Sequence, residues 1–385
     1  MKKNSDFRIL VVDDAPANIQ TLSASLKEKG YQISVAINGK QALELMARLR
    51  PDLVLLDVIM PELDGFAVLK QMKANGEMKH VPVIMISALD EMDGVIRCIE
   101  MGAEDYLHKP FNPTLLHARI GACLEKKSLR DMEHEHLRII KETQRRLESE
   151  LAEAAHYVRS ILPPPTDTPL CIDWKYQPST ELGGDAFGYH WVDPEHFAVY
   201  LLDVCGHGVG ASLLSVTAIN VIRSGALPNT DFRDPGAVLS ALNRAFPMER
   251  QNDMYFTIWY GVFHAPSRML RYSSGGHPPA LLLSNGQAPI ERLRTPGLIV
   301  GVTEDVAYET QSILVGPGAQ LIVLCDGCYE IKDSLGQVMD FETFERFMQE
   351  NGTRPDGLEL LHSWVRAKHG DGPLDDDFSI VRVRF

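Results

Sequence analysis

Short apolar runs alternate with longer stretches of helical spacing throughout the first 120 residues of the chain. Alternation of this kind predicts a parallel, doubly wound sheet with helices on both faces. The unbroken apolar run at residues 53–56 fits a strand that is buried on both faces. We therefore predict an α/β domain at the N-terminal end. Its strands are expected at residues 8–12, 33–36, 52–56, 82–86 and 105–107, and its helices at residues 18–29, 39–48, 66–73 and 93–101.

A different composition begins near residue 113. No proline occurs between Thr114 and Leu162, where Glu, Lys, Arg and Leu dominate, and three prolines follow at residues 163–165. This predicts one long helix that ends at the proline run. Two seven-residue series in it are apolar at seven of eight positions, which favours a dimeric coiled coil over the alternative, a helix folded back on its own domain. The series are Leu137, Gln144, Leu151 and Val158, and Ile140, Leu147, Ala154 and Ile161.

The remainder of the chain combines alternating strands with four helices, which predicts an α+β domain. We expect three parts: a domain at residues 1–122, a helical coiled-coil linker at 123–165 and a second domain at 166–385. The strands predicted in the last part are at 197–203, 254–263, 269–273, 280–283, 320–325 and 378–384, and the helices at 210–224, 235–246, 341–349 and 357–368.

Composition excludes several classes of function. A net charge of −14 disfavours nucleic acid or an anionic membrane as the main partner. No apolar run approaches the about 18 residues of a membrane helix, and the N-terminus reaches Asp13 too soon for a signal peptide. Six cysteines in 385 residues do not make a disulfide framework. We expect a cytoplasmic protein.

Polar residues follow the predicted strands of the first domain, at the edge where the carboxyl ends of parallel strands meet. Asp13 and Asp14 follow the first strand, Asp57 ends the third, Ser87 ends the fourth and Lys109 follows the fifth. Three close carboxylates repel one another unless a hard cation such as Mg²⁺ lies among them. A carboxylate can also attack phosphorus to form an aspartyl phosphate, whose oxygens a lysine and a hydroxyl can hold.

Five motifs of this domain carry a family resemblance. They are Val11-Val12-Asp13-Asp14, Leu56-Asp57-Val58-Ile59-Met60-Pro61, Asp64-Gly65, Ser87-Ala88 and Lys109-Pro110-Phe111. By them the domain resembles the bacterial two-component receiver domain, which has a flavodoxin-like sheet of five parallel strands. The resemblance implies that a sensor histidine kinase phosphorylates Asp57 and that Asp13, Asp14 and Asp57 bind Mg²⁺. It also implies a switch formed by Ser87, Tyr106 and Lys109, and a cis peptide between Lys109 and Pro110.

Aspartates also stand at strand ends and beside glycines in the last domain. Asp203 and Asp326 each end an apolar strand, Asp185 follows two glycines, and Asp376 and Asp377 are adjacent. Carboxylates at the ends of buried strands need a cation if they face one another, and their wide spacing suggests a binuclear Mg²⁺ or Mn²⁺ site. Two such ions activate a water and clamp a phosphate oxygen for in-line attack.

Four further motifs carry the second resemblance. They are Asp203-Val204-Cys205-Gly206-His207-Gly208, Tyr272-Ser273-Ser274-Gly275-Gly276-His277-Pro278-Pro279, Asp326-Gly327-Cys328-Tyr329-Glu330 and Asp376-Asp377-Phe378-Ser379. By them residues 166–385 resemble the SpoIIE/RsbU-type branch of the metal-dependent protein serine/threonine phosphatases, with two packed sheets flanked by helices.

This resemblance implies a ligand set for two Mn²⁺ or Mg²⁺ ions. Asp203 would bridge both ions, with Asp185 on one side, Asp326 and Asp376 on the other, and the Val204 carbonyl completing one shell. Asp377 is a weaker candidate. The glycine-flanked His207 and His277 are interpreted as structural rather than as ligands or general acids. The glycines of these motifs are Gly184, Gly206 and Gly276.

The chain departs from the family pattern at Gly188, where an aspartate often follows Gly-Gly-Asp. This bears on an additional, weakly held metal and not on the central pair. Cys325 and Cys328 have the spacing of a redox motif, but they enclose the predicted ligand Asp326, which disfavours a redox role.

Two functions follow from these patterns. In the first, phosphorylation of Asp57 alters the face around Ser87 and Tyr106, and the long helix transmits this change to a phosphoprotein phosphatase. The resemblance of the last domain to the SpoIIE/RsbU-type phosphatases implies that the substrate is a phosphorylated anti-sigma-factor antagonist of the STAS type, within a partner-switching pathway. In the second, the last domain is a degenerate phosphatase that binds phosphoprotein without catalysis. A DNA-binding regulator is disfavoured because no basic recognition helix is present.

Overall fold

The computed structural model describes residues 3–88, 92–284, 289–332, 337–370 and 372–385. Its contacts divide the chain into two units, Met1–Gln144 and Arg145–Phe385. Among the described residues, no helix combines the length and the apolar character needed to cross a membrane.

The first unit is the predicted doubly wound domain. Its five strands are parallel and lie in the order β2-β1-β3-β4-β5, which is the flavodoxin-like order. The predicted strands are confirmed to within one residue at either end. The strands are β1 (Arg8–Val12), β2 (Gln32–Ala36), β3 (Leu53–Asp57), β4 (Val83–Ser87) and β5 (Asp105–His108), and the helices are α1 (Pro16–Glu28), α2 (Gly39–Leu49), α3 (Gly65–Ala74) and α4 (Met92–Glu100).

Side-chain alternation explains why the central strands are apolar throughout. Leu53 and Leu55 of β3 pack in one hydrophobic layer, whereas Val54 and Leu56 pack in the other. The sheet therefore needs apolar residues on both faces. At the end of β3, a Cβ on Gly65 would lie only 2.2 Å from the Asp57 carbonyl oxygen, so this glycine lets α3 begin directly beside the site.

The predicted long helix is continuous. Helix α5 (Pro113–Ile161) contains 49 residues and is buried near both of its ends. Residues 129–154 between those ends are exposed, so the alternative of a helix packed against its own domain does not hold for this stretch. The apolar side chains of the heptad series are open to solvent up to residue 154, with Leu137, Ile140 and Leu147 each at least half exposed. Val158, the last member of its series, is instead buried and packs with Leu182.

The second unit contains two five-stranded sheets whose neighbouring strands are antiparallel. Their orders are β13-β10-β9-β8-β7 and β12-β11-β14-β15-β6, and side chains of both sheets and four helices share one hydrophobic core. The strands are β6 (Cys171–Gln177), β7 (Ala186–Trp191), β8 (His196–Val204), β9 (Phe256–His264), β10 (Met269–Gly275), β11 (Ala280–Leu283), β12 (Glu291–Leu293), β13 (Gln311–Leu314), β14 (Gln320–Leu324) and β15 (Phe378–Arg384). The helices are α6 (Val209–Arg223), α7 (Pro235–Ala245), α8 (Phe341–Asn351) and α9 (Gly357–His369).

Four strands of this unit, β6, β7, β12 and β13, were not predicted from the sequence. Each of them lies at an edge of its sheet. Edge strands are partly exposed and lack the continuous apolar run that marks a central strand such as β14, all five residues of which are buried.

Candidate functional site

The predicted acidic site of the first unit lies where β1 and β3 end side by side. Val12 pairs with Leu56, so Asp13 and Asp57 leave adjacent strands at the same edge. Asp13, Asp14 and Asp57 each offer a carboxylate oxygen within 4.8 Å of the other two, which is the only such group of metal-binding side chains among the described residues. Asp13 and Asp57 are buried and Asp14 is exposed.

Lys109 joins the two buried carboxylates. Its Nζ lies 2.7 Å from Asp13 Oδ2 and 2.9 Å from Asp57 Oδ2, and the Lys109–Pro110 peptide is cis, as the resemblance implied. Burial lowers the pKa of Lys109, but hydrogen bonds to both aspartates outweigh it and leave the pKa raised. Burial raises the pKa of Asp57, and Lys109 opposes that change. The lysine therefore holds Asp57 in a partly neutralised pocket.

The donor set of this site fits Mg²⁺, which binds carboxylate oxygens and keeps several of its waters. Asp13 is oriented by Asn18 Nδ2 at 3.0 Å and by the Ala15 amide at 2.9 Å, both donating to Oδ1. Of the two remaining switch residues, Ser87 is fully buried at the end of β4 and Tyr106 is half-buried on the adjacent β5.

The second set of predicted ligands is divided between the two sheets of the C-terminal unit. Asp185 precedes β7 and Asp203 lies in β8, two paired strands of one sheet. Asp326 follows β14, and Asp376 and Asp377 precede β15, two paired strands of the other sheet. The fold therefore brings together aspartates that are far apart in the sequence.

The aspartates of the two sheets interact electrostatically. Burial, and then the charges of Asp326 and Asp376, raise the pKa of Asp203. Burial also raises the pKa values of Asp326 and Asp376. No three of these side chains come within 4.8 Å of one another among the described residues, a wider spread than in the first unit.

Asp185 tests whether a cation fits this cluster. Its side chain is 1% exposed, and neither carboxylate oxygen has a hydrogen-bond partner among the described residues. Burial, with contributions from Cys325, Asp203 and Asp377, raises the pKa of Asp185 well above its usual value. Burying an ionised carboxylate without a partner costs free energy. A cation beside Asp185 would compensate its charge and so stabilise the site.

Gly184 keeps the backbone side of this cluster open. A Cβ on Gly184 would lie 2.6 Å from the Val204 carbonyl oxygen and 2.8 Å from the Gly206 carbonyl oxygen. The predicted carbonyl ligand is therefore next to the residue that precedes Asp185, in a space that only glycine leaves free. The oxygen donors present suit Mg²⁺ or Mn²⁺.

Asp377 differs from the other aspartates because hydrogen bonds occupy its carboxylate. Oδ1 accepts from the Ser179 amide at 2.8 Å and hydroxyl at 2.9 Å, and Oδ2 accepts from the amides of Gly184 at 2.6 Å and Asp185 at 3.2 Å. These bonds hold the loop that carries Asp185. Of the two adjacent aspartates, the exposed Asp376 is therefore the one whose carboxylate is available to a metal ion.

The two histidines of the glycine motifs have different environments. His207 is exposed, and it lies close enough to Asp376 to oppose, in small part, the rise that burial causes in the pKa of that carboxyl. His277 is 1% exposed, its Nδ1 lies 2.7 Å from Thr257 Oγ1, and burial lowers its pKa to about 3. His277 is therefore a neutral interior group, whereas His207 lies at the rim of the cluster.

Gly188 faces away from the acidic cluster. Gly188 is paired with Tyr200 of β8, and Asp203, three residues further along that strand, points to the opposite face of the sheet. A Cβ there would lie 2.5 Å from the hydroxyl oxygen of the buried Tyr200. An aspartate at this position has no room beside Tyr200 and would not join the ligands.

Comparisons with known proteins cover both units. The family model for Stage II sporulation protein E (SpoIIE) matches residues 193–385, and the model for the response regulator receiver domain matches residues 9–121. Response regulator PleD of Caulobacter vibrioides is 43% identical over 124 residues, which are 32% of this chain and 27% of PleD. A probable cyclic di-GMP phosphodiesterase of Vibrio cholerae is 39% identical over 132 residues, 34% of this chain and 30% of that protein. The chain thus spans less than a third of either relative.

One solved structure shows the fold of the second unit. The SiaA-PP2C domain of Pseudomonas aeruginosa has a TM-score of 0.55 at 19% identity and covers 63% of this chain and 98% of that domain.

Proposed function

The chain belongs to the family of stage II sporulation protein E (SpoIIE), and from this premise we propose that it is a two-component response regulator whose receiver controls a metal-dependent protein serine/threonine phosphatase. The observation that carries the catalytic part is Asp185, whose buried carboxylate has no hydrogen-bond partner among the described residues and lies among further aspartates. A domain that only binds phosphoprotein would have no use for this costly arrangement.

Four carboxylates and one carbonyl form the proposed metal centre. Two Mn²⁺ or Mg²⁺ ions held there would supply an activated water and compensate the charge of a phosphate oxygen. Asp203 is the proposed bridge because it lies near the end of β8 in one sheet and interacts electrostatically with the aspartates of the other. Asp377 positions the Asp185 loop, and the exposed His207 is suited to protonate the leaving oxygen of a serine or threonine. The ligands proposed are Asp185, Asp203, Asp326, Asp376 and the Val204 carbonyl.

The receiver part of the proposal rests on Asp57. A sensor histidine kinase would donate the phosphoryl group, with Mg²⁺ held by Asp13, Asp14 and Asp57. Phosphorylation adds about −1.5 to −2 charge at the end of β3, and Lys109, which now bridges Asp13 and Asp57, is within reach of the new oxygens. The resulting change around Ser87 and Tyr106 is proposed to reach the phosphatase through α5.

The substrate is proposed from the family resemblance of the motifs, and the compartment from the composition of the chain. We propose a phosphorylated anti-sigma-factor antagonist of the STAS type as substrate, within partner switching in the cytoplasm. The rival proposal is a degenerate phosphatase fold that binds phosphoprotein without turnover. The departure from the family pattern at Gly188 does not favour that rival, because position 188 faces Tyr200 and not the acidic cluster.

Metal-dependent hydrolysis of a small phosphate ester tests the catalytic proposal. We expect the full chain to hydrolyse p-nitrophenyl phosphate with Mn²⁺, to lose this activity in EDTA and to regain it when Mn²⁺ is restored, because the aspartates can bind the ester only through cations. Absence of turnover at saturating Mn²⁺, with phosphoprotein binding retained, would favour the non-catalytic rival.

Self-association through residues 137–161 is a second expectation. The double variant Ile140→Glu/Leu147→Glu should convert a dimeric full chain to monomer, because both exposed side chains belong to the apolar series and charges would face each other across the seam. Multi-angle light scattering measures the mass. Ser149→Glu, on the same helix outside both series, is the control and should stay dimeric. A wild-type monomer at micromolar concentration would exclude the coiled coil.

A further inference from the structure

We propose that Thr257 and His277 form a positioning pair behind the metal centre, which fixes Asp203 relative to Asp326 without touching a metal. This inference rests on the proposed function, since it concerns the same cluster of aspartates. It assigns a role to the second glycine–histidine motif, which the proposed ligand set leaves unused.

Thr257 lies directly beside Asp203. The two residues are opposite each other in the antiparallel pair β8–β9, so their side chains share one face of the sheet, with Cβ atoms about 4.5–5.5 Å apart. This face points toward the second sheet, because Trp259, two residues further along β9, donates from its indole Nε1 to the Leu293 carbonyl of β12 at 3.0 Å. The Thr257 hydroxyl therefore lies beside Asp203, on the face that points toward the sheet whose strand β14 precedes Asp326.

His277 forms a hydrogen bond with the Thr257 hydroxyl. The distance from His277 Nδ1 to Thr257 Oγ1 is 2.7 Å. The backbone at Gly276 turns the chain off β10 with a φ of +67°, and a Cβ there would lie 2.6 Å from Ile299 Cγ1. Glycine is thus required at position 276 for the imidazole to enter the interior.

The same imidazole lies near the second sheet. Leu324, at the end of β14 and two residues before Asp326, lies close enough for its backbone to oppose the effect of burial on His277. His277 thus lies between the strand partner of Asp203 and the strand that leads to Asp326. Its side chain is 1% exposed and stays neutral, so one ring nitrogen donates and the other accepts. Nδ1 is engaged with Thr257, and Nε2 is buried with no hydrogen-bond partner among the described residues.

A pair in this position should act on metal binding. Residues that orient metal ligands from outside the coordination shell typically change metal affinity about 10–100-fold when they are replaced. A packing residue of the same size would lower thermal stability and leave metal affinity unchanged. Metal affinity is therefore the measurement that separates a positioning role from a packing role.

The test is calorimetric titration of the full chain with Mn²⁺ alone, in an Asp13→Asn background that weakens the receiver site. Thr257→Val, which removes the hydroxyl at constant shape, and His277→Gln should each weaken Mn²⁺ binding by about 10–100-fold. Thr257→Ser keeps the hydroxyl and should bind like the parent. Mn²⁺ half-saturation of p-nitrophenyl phosphate hydrolysis should rise in parallel, with the rate at saturating metal less affected.

Tyr200→Phe is the matched control. It removes a buried hydroxyl from the strand that carries Asp203, but on the opposite face, and this hydroxyl has no hydrogen-bond partner among the described residues. Unchanged Mn²⁺ affinity in Thr257→Val and His277→Gln, with or without a lower melting temperature, would overturn the positioning role. A parent protein that binds no Mn²⁺ would instead overturn the metal centre itself, and the inference with it.

Discussion

Asp203→Asn is expected to abolish phosphate-ester hydrolysis while the protein stays folded. The substitution keeps the shape of a residue that ends β8 and removes the charge proposed to bridge two ions. Loss of a metal-held nucleophile is worth several kcal/mol, and each 1.4 kcal/mol is tenfold in rate, so we expect a fall of about 1000-fold or more. The measurement is Mn²⁺-dependent turnover of p-nitrophenyl phosphate by the full chain.

The fold should tolerate this change for an electrostatic reason. Burial, and the charges of Asp326 and Asp376, raise the pKa of Asp203, so without metal the ionised carboxylate is unfavourable there. A neutral amide removes that repulsion, and the metal-free variant should melt at or above the temperature of the wild type. Asp305→Asn is the control, because Asp305 is an exposed aspartate whose φ of +58° asparagine adopts readily. Near-normal turnover by Asp203→Asn would show that the assigned bridge is wrong.

Asp57→Asn is expected to remove all response to a phosphodonor and to leave the metal centre of the second unit intact. The amide cannot form an acyl phosphate, and no other carboxylate of the pocket is both bonded to Lys109 and at the end of β3. Incubation with acetyl phosphate and Mg²⁺, followed by intact-mass measurement, should show one phosphoryl group on the wild type and none on the variant. Phosphatase activity should change with acetyl phosphate only in the wild type.

Basal turnover provides the internal standard for this second experiment. The variant should hydrolyse p-nitrophenyl phosphate at the rate of the unphosphorylated wild type, since Asp57 belongs to the first unit and the aspartates of the metal centre to the second. Glu44→Gln, an exposed acidic residue of α2, should respond to acetyl phosphate like the wild type. An equal response of wild type and Asp57→Asn would remove the receiver from the proposed control of the phosphatase.

Central strands and helices were predictable from the sequence, whereas the edge strands of the second unit were not. Strand β3 is apolar throughout because both of its faces are buried, and its pattern is unambiguous. Strand β6 has one buried residue among seven, so its pattern resembles that of a loop. Edge strands are defined by the neighbour they pair with, as β6 pairs with β15, and a single sequence does not encode that partner locally.

In the candidate site, too, features set by neighbouring residues in the sequence were predictable, and features set by long-range contacts were not. Acidic residues at strand ends indicated the clusters, because strand ends meet at sheet edges. The family resemblance ranked Asp376 above Asp377 as a ligand, but the local sequence gives no physical reason, since the two residues are adjacent before the same strand. The long-range hydrogen bonds of Asp377 to residues 179–185 are what distinguish the two carboxylates. It also treated His207 and His277 alike, although one is exposed and the other buried, because each is simply a histidine beside glycines.

Cys325 and Cys328 provide a built-in reporter of local unfolding. Their sulfurs lie 4.0 Å apart, fully buried, and the Cys325 thiol donates to the Asp377 carbonyl at 3.0 Å while accepting from the Ser379 amide at 3.1 Å. Burial raises the pKa of Cys325 well above its usual value, so an alkylating reagent finds little thiolate to attack. Peptide-resolved alkylation of these two cysteines would therefore time the opening of the Asp326 loop, with no label introduced into the protein.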